Sequence, residues 1–341
     1  MTRPFAIAVL LLGAGALAES AQGVRFPERL DAYFKNTVRL TAAQQQQLAG
    51  GQPVTRLLDA DENKEVAVFG AIWIAAPIRR YLDAVADVET LERGPGFRIT
   101  RKLSAPPRLE DFAGLQLPAD DIADLRTCRV GSCELKLSEN GVNRVRSEID
   151  WNGPNVPAAV NRLAQQIAVE YVTGYVNGGN AELAVLRDGS RPTFVAQEFR
   201  SMVDAMPELT SYLPAVRRYL LEYPKADVRP VTDFLYWQET QFGLKPTIRI
   251  SHLSVFEHAG DALVASKMLY ANHYFWTGLE LRALVADPAR GPGFWFVTVS
   301  RSRSDGLSGF TGTLVRRRVR GEVQEGSLAA LRTAKQRLEA R

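Results

Sequence analysis

Lysine and histidine set in one apolar stretch are the residues of this chain best placed for chemistry. Between Ala262 and Trp276 the sequence carries Ser266, Lys267, Tyr270, His273, Tyr274 and Phe275. Read as a strand, the two-residue alternation puts Lys267, His273 and Phe275 on one face with Leu263, Leu269 and Ala271. Ser266, Tyr270, Asn272, Tyr274 and Trp276 fall on the other. A pocket for an amphiphile is mostly apolar with a few placed polar groups, and this strand fits such a lining. It equally fits a strand whose polar side chains are solvated. Glu280 and Arg282 share a face of the following strand and could pair with each other or with a headgroup. Arg301-Ser302-Arg303-Ser304-Asp305-Gly306-Leu307-Ser308-Gly309 joins a strand to a helix. Arginines, hydroxyls and glycines near a helix start suit a phosphate or carboxylate, whereas Asp305 or Ser308 equally suits a cap. The candidate ligand contacts are therefore Lys267, Tyr270, His273, Tyr274, Glu280, Arg282 and Arg301, with no residue assigned a catalytic role.

Known catalytic patterns are absent from the sequence: it has no H-E-x-x-H, no P-loop, no G-x-G-x-x-G and no C-x-x-C-H. Gly306-Leu307-Ser308-Gly309 lacks the final glycine of a nucleophile elbow, since Phe310 stands there. His252, His258 and His273 have no acidic cluster beside them in sequence, so neither a metal nor a cofactor is expected. A triad built on Ser266 or Ser308 with His273 stays open, with nothing to select it. Cys128 and Cys133 are the two cysteines, and a local disulfide closing a tight loop is the expected use of them in an exported protein.

The elements that must position these residues follow from periodicity and punctuation. Residues 19–64 read as a helical lead-in, with Thr41 before an Ala/Gln run and Gly50-Gly51 after it. Glu65–Ile74 reads as a strand, Pro77 opens a helix through Tyr81, Leu82 and Val85, and Phe97–Leu103 alternates as a strand. Cys133–Leu137 reads as another. Helical spacing then runs from Val156 to Leu186 and, in pieces broken by Pro207 and Pro214, to Tyr223. Five strands follow, at Phe234–Phe242, Thr247–Phe256, Ala262–Tyr274, Trp276–Val285 and Phe294–Arg303, joined by turns short enough for an antiparallel meander. A helical pattern from Ser308 to Ala340 closes the chain. The expected fold class is α+β: a curved antiparallel sheet packed on a long C-terminal helix, with a helical block inserted at about 140–225.

The N-terminus reads as a secretory leader. Arg3 precedes an apolar run from Phe5 to Leu12, and small residues at Ala16 and Ala18 suit cleavage near Ala18. That run is short of the roughly 20 apolar residues a membrane-spanning helix needs. The expected location is thus the periplasm or the exterior, with residues 1–18 removed. A hydrophobic content of 46% and a charged content of 23% are those of an ordinary globular chain. The formal net charge of +4 is too mild to imply a nucleic-acid partner. Arg316, Arg317, Arg318 and Arg320 form a basic run that fits a transient contact with an anionic membrane surface, or simply a solvated helix face.

Val66–Ile74 with the helix after Pro77, and Phe294–Arg303 running into the helix of 308–340, resemble the START-like, or helix-grip, superfamily. The resemblance covers about residues 65–105 and 230–340. It makes 65–341 one START-like domain and implies a cavity for a hydrophobic ligand between the sheet and the closing helix. The segment from Ser266 through Phe275 also resembles one found in uncharacterised exported bacterial proteins. The function so expected is non-catalytic binding of a lipid or other apolar or amphiphilic small molecule. An envelope assembly protein with a filled core and an unrecognised periplasmic enzyme stay open beside it.

Overall fold

The computed structural model describes residues 26–94, 96–242, 245–307 and 309–340. The leader expected at 1–18 lies outside them.

Two short helices, α1 (Glu28–Ala32, continuing as a π-helical segment Tyr33–Val38) and α2 (Ala42–Ala49), open the described chain. Thr41 caps α2 through a capping box with Gln44. Strand β1 (Val54–Leu57) follows, so the lead-in is not wholly helical. Then come β2 (Glu65–Ile74), α3 (Ile78–Ala86), α4 (Val88–Leu91) and β3 (Phe97–Lys102). A helical block comes next: a 3-10 turn at Leu109–Phe112, then α5 (Ala119–Thr127), α6 (Glu139–Glu148), α7 (Val156–Gly178), α8 (Val195–Asp204) and α9 (Pro214–Glu222). A two-residue ladder joins β4 (Val185–Leu186) to β5 (Thr193–Phe194) within it. The block starts well before residue 140, and Cys133–Leu137, expected as a strand, is not one. Its backbone bonds instead to separate segments: Cys133 N–H to Asp188, and Lys136 N–H to Asn272.

The chain then runs through β6 (Thr232–Phe242), β7 (Lys245–His258), β8 (Asp261–Ala271), β9 (Phe275–Ala286) and β10 (Phe294–Ser304) into α10 (Gly309–Glu339). The five expected strands form the expected meander. They belong to an open eight-stranded antiparallel sheet ordered β1-β2-β10-β9-β8-β7-β6-β3. The α+β class, with the long closing helix on the sheet, is thus the observed one.

Both faces of the sheet are covered, so its strands are apolar on both sides and β2 is buried at all ten positions. On one face Ile72, Phe296, Leu284 and Val264 pack against Tyr81 and Val85 of α3 and Leu331 of α10. Gly70 lets α10 approach, because a Cβ there would lie 3.0 Å from a Leu331 methyl and 2.7 Å from the Thr298 hydroxyl. On the other face Phe69, Leu281 and Val299 meet α1, α8 and α9, while Trp237, Ile250 and Leu269 meet α7. Gly179 ends α7 at a φ of +66°, with the Tyr223 carbonyl where a Cβ would sit.

One ion cluster ties β2, β10 and the helical block together. Buried Glu65 accepts from Arg301 at 2.8 Å and from Arg303 at 2.8 Å, and Arg303 reaches the Glu198 carboxylate on α8 at 2.7 Å. Removing the shared carboxylate leaves two guanidinium groups facing each other in the interior. Glu65→Gln is expected to cost about 3–5 kcal/mol of unfolding free energy. The check is the urea midpoint at unchanged denaturant slope; a loss below about 1 kcal/mol would mean that solvent reaches the arginines.

Candidate functional site

The sheet and the helical block leave a cavity of about 120 Å3 between them. Its walls come from several places in the chain: Leu115 and Leu117 after the 3-10 turn, Leu125 of α5, and Leu135 to Val145 running into α6. The rest are one face of α7, Ala184 beyond it, the sheet residues Ile248, Ile250 and Tyr270, and Asn272 in the turn after β8. The α7 face repeats Val160, Leu163/Ala164, Ile167/Ala168 and Tyr171, the three-and-four spacing of an amphipathic helix. Ser138 starts α6 by accepting the Gly141 N–H at 3.1 Å, which turns Gly141 and Val145 toward the cavity. The Cys128–Cys133 disulfide joins the end of α5 to the segment bearing Leu135 and Leu137, so it staples two walls of the cavity together.

One turn beyond Tyr171 on α7 the character of the layer reverses. Tyr175 OH lies 2.9 Å from His252 Nδ1, and His252 Nε2 lies 2.6 Å from Asp233. Asp233 also accepts from Ser254 at 2.8 Å and Tyr219 at 2.9 Å. On the other side Lys267 Nζ donates to Tyr175 OH at 3.3 Å and to Asn180 Oδ1, and it lies over the rings of Phe199 and Tyr175. The result is a chain that runs from exposed Asp233 at the surface through His252 and Tyr175 to Lys267, the last three buried. Burial pushes the Asp233 carboxyl up, but the bond and charge of His252, with Ser254 and Tyr219, bring it below its ordinary value. Desolvation pushes Tyr175 well above the usual phenol range. Lys267, 1% exposed, has no carboxylate partner, and burial holds its amine well below the usual lysine range. This is a set of groups able to pass a proton. None of the four lines the cavity.

The candidates from the sequence scatter across this layout. Tyr270 alone of the seven lines the cavity. It gets there through a β-bulge: Ile250 pairs with Tyr270 and Ser251 with Met268, so Leu269 is the extra residue and Tyr270 turns to the helical-block face. Strict alternation had placed it opposite Lys267. Strand β8 ends at Ala271, so His273 and Tyr274 lie in the hairpin turn, Tyr274 with a φ of +60°. His273 Nε2 sits 2.9 Å from Asp121 of α5 and fastens that helix to the turn. Tyr274 OH accepts the Lys245 N–H at 2.8 Å. Glu280 and Arg282 pair with each other at 2.8 and 2.7 Å on the α10 face, where Arg282 also reaches Tyr81. Arg301 is spent on Glu65, so the loop expected as an anion cradle has no free guanidinium from it. In the basic run Arg316 and Arg320 reach Asn63 and Glu62, while Arg317 stays exposed.

Sequence reading found the apolar face of α7 but not the cavity it lines, because the facing residues come from elements far apart in the chain. It missed the Asp233–His252–Tyr175 chain altogether, since three distant elements supply it and no local spacing announces it. Among the described residues there is no cluster of histidine, cysteine or carboxylate side chains able to hold a metal. No protein-family model and no curated protein matches the chain.

A lysine whose pKa is lowered by burial in the fold makes stability depend on pH. Between its lowered folded pKa and the unfolded value near 10.4 the unfolded chain binds one more proton, so this contribution to stability rises with pH. Lys267→Met should therefore be more stable than the parent, by a margin that shrinks by up to about 1.4 kcal/mol per pH unit toward pH 10. Urea unfolding from pH 7 to 10 measures it, and a constant margin would show that the amine stays charged.

Proposed function

We propose that this chain is an exported, non-catalytic binding protein. It holds an apolar small molecule, or the apolar part of an amphiphile, between its helical block and its sheet. The observation that carries the reading is the cavity of about 120 Å3 walled by leucine, valine, isoleucine and alanine. Close-packed interiors rarely leave such a void, and an apolar one of about 150 Å3 stays dry and takes up benzene or xenon. None of the polar groups that could do acid–base work lines the cavity, and Tyr171 stands between them and it, which favours binding over catalysis. Export is supported by the leader pattern at residues 1–18 and by the Cys128–Cys133 disulfide. No helix among the described residues is long and apolar enough to cross a membrane.

The order of meander and closing helix supports the START-like resemblance, and the ligand space proposed here lies on the sheet face opposite that helix. The outward side of α10 carries Leu314, 76% exposed, beside Val315 and Arg317. That mixture of apolar and basic side chains supports a transient contact with an anionic membrane surface, from which an apolar ligand could be collected.

Protein purified from the periplasm is expected to carry an extractable apolar molecule at one per chain by native mass spectrometry, or to bind one saturably after delipidation. Ala168→Phe places a ring in the cavity and is expected to abolish that binding while lowering the melting temperature by no more than a few degrees. Unchanged binding in Ala168→Phe, or no adduct from a panel of alkanes, arenes and lipids, would sink the reading.

A further inference from the structure

Resting on that reading, we infer that the cavity accepts a bare hydrocarbon group, the size of one ring or a short chain end. It offers a hydroxyl, carboxylate or other polar atom no side chain without a protein partner of its own. The argument is an account of every polar side chain in its wall. Lys136 lines the cavity, but its ammonium is turned away into a pair of carboxylates, at 3.0 Å from Asp188 and against Asp305. The Ser138 hydroxyl accepts the Gly141 N–H. Tyr171 OH donates to the Leu269 carbonyl at 2.8 Å, and Tyr270 OH to the Lys136 carbonyl at 2.8 Å. Asn272 accepts from the Ile248 N–H at 2.8 Å and donates to Asp121 at 3.2 Å.

The backbone of the polar corner is committed as well. Lys136 N–H bonds to the Asn272 carbonyl, the Leu137 carbonyl takes the Arg187 N–H, and the Ser138 carbonyl takes the Val142 N–H. Buried side-chain atoms without a partner do occur among the described residues, on Glu208, Arg217, Glu239, Arg249 and Arg301. None of these residues belongs to the cavity wall.

A polar atom brought into this space would shed its water and find no partner, which costs affinity rather than adding it. The lining residues that keep some exposure include Leu117, Leu137, Ala164 and Ile167. Ser138, Tyr171 and Tyr270 are half-buried beside them, so the way in is mostly apolar and a headgroup is better hydrated outside it. Selection in this cavity is by volume and shape.

The test is a matched set of one-ring compounds, toluene, benzyl alcohol and benzoate, titrated into delipidated protein. Methyl NMR of the leucines reads the affinity, with Ala168→Phe as the control for location. Toluene is expected to bind at least about tenfold more tightly than benzyl alcohol, with benzoate weaker still. If benzyl alcohol or benzoate matches or exceeds toluene at the same methyls, the cavity receives a polar group and this inference falls while the binding function stands. If none of the three, nor n-hexane, shifts the leucine methyls of the parent protein, the binding function itself fails and takes the inference with it.

Discussion

An antiparallel sheet that is apolar on both faces has to be covered twice, and most of this structure follows from how that is done. Strand β2, buried along its whole length, cannot face water on either side. The closing helix α10 and α3 cover one face. The other receives the N-terminal helices, α8 and α9 at one end and α7 at the other. The two covers differ in kind. The first is local to the strands that bear it, since α10 follows β10 directly and returns to β2. The second is a block of more than a hundred residues inserted between β3 and β6, and it needs its own fastenings. Glu65 with Arg301 and Arg303 supplies one, and Asp121 with His273 another. These are buried polar contacts in which losing one partner costs far more than the pair contributes, so they specify where the block docks rather than how strongly the sheet holds together.

That division explains what the sequence made legible. The meander, its turns and the closing helix are written in local periodicity, and all five strands and the final helix appear close to where the pattern places them. The exceptions have local physical causes. Extended residues 133–137 alternate like a strand, but their N–H groups bond to a hairpin turn and a loop rather than to a ladder. Tyr270 was assigned to the wrong face because one bulged residue, Leu269, resets the alternation, and nothing in the residue types around it signals the bulge. The candidate site was less legible still. Lys267, His273, Glu280 and Arg301 were noted because charged residues in apolar company stand out. In the fold each is consumed by a structural partner: Asn180 and Tyr175, Asp121, Arg282 and Glu65 respectively. The residues that make the cavity are leucines and valines, indistinguishable in sequence from those that fill a core. Only their failure to fill one marks them.

Helix α7 carries the contrast between the two ends of the interlayer. Its first four turns present small and aliphatic side chains to the cavity. Its last two present Tyr175 and lead to Asn180, where the polar chain is closed. Tyr171 stands between them, its ring edge-on to Tyr270 and its hydroxyl bonded to the bulged Leu269 carbonyl. The bulge that sends Tyr270 inward thus also supplies the acceptor that fixes Tyr171. With both phenols held, the polar chain is kept from the apolar space, and neither water nor a ligand's polar group is offered a partner across the boundary.

The separation also bears on why a lysine is tolerated at 267. A buried amine without a carboxylate is unfavourable, and a ligand cavity opening onto it would let an anionic molecule relieve that cost and bind tightly for the wrong reason. Asn180, Tyr175 and the rings of Phe199 and Tyr175 surround the amine with neutral groups instead. Those contacts pull α7, the turn after it and α8 onto one strand. The free volume in this layer collects at the other end of α7, between α5, α6 and the sheet, where a disulfide staples α5 to the segment leading into α6.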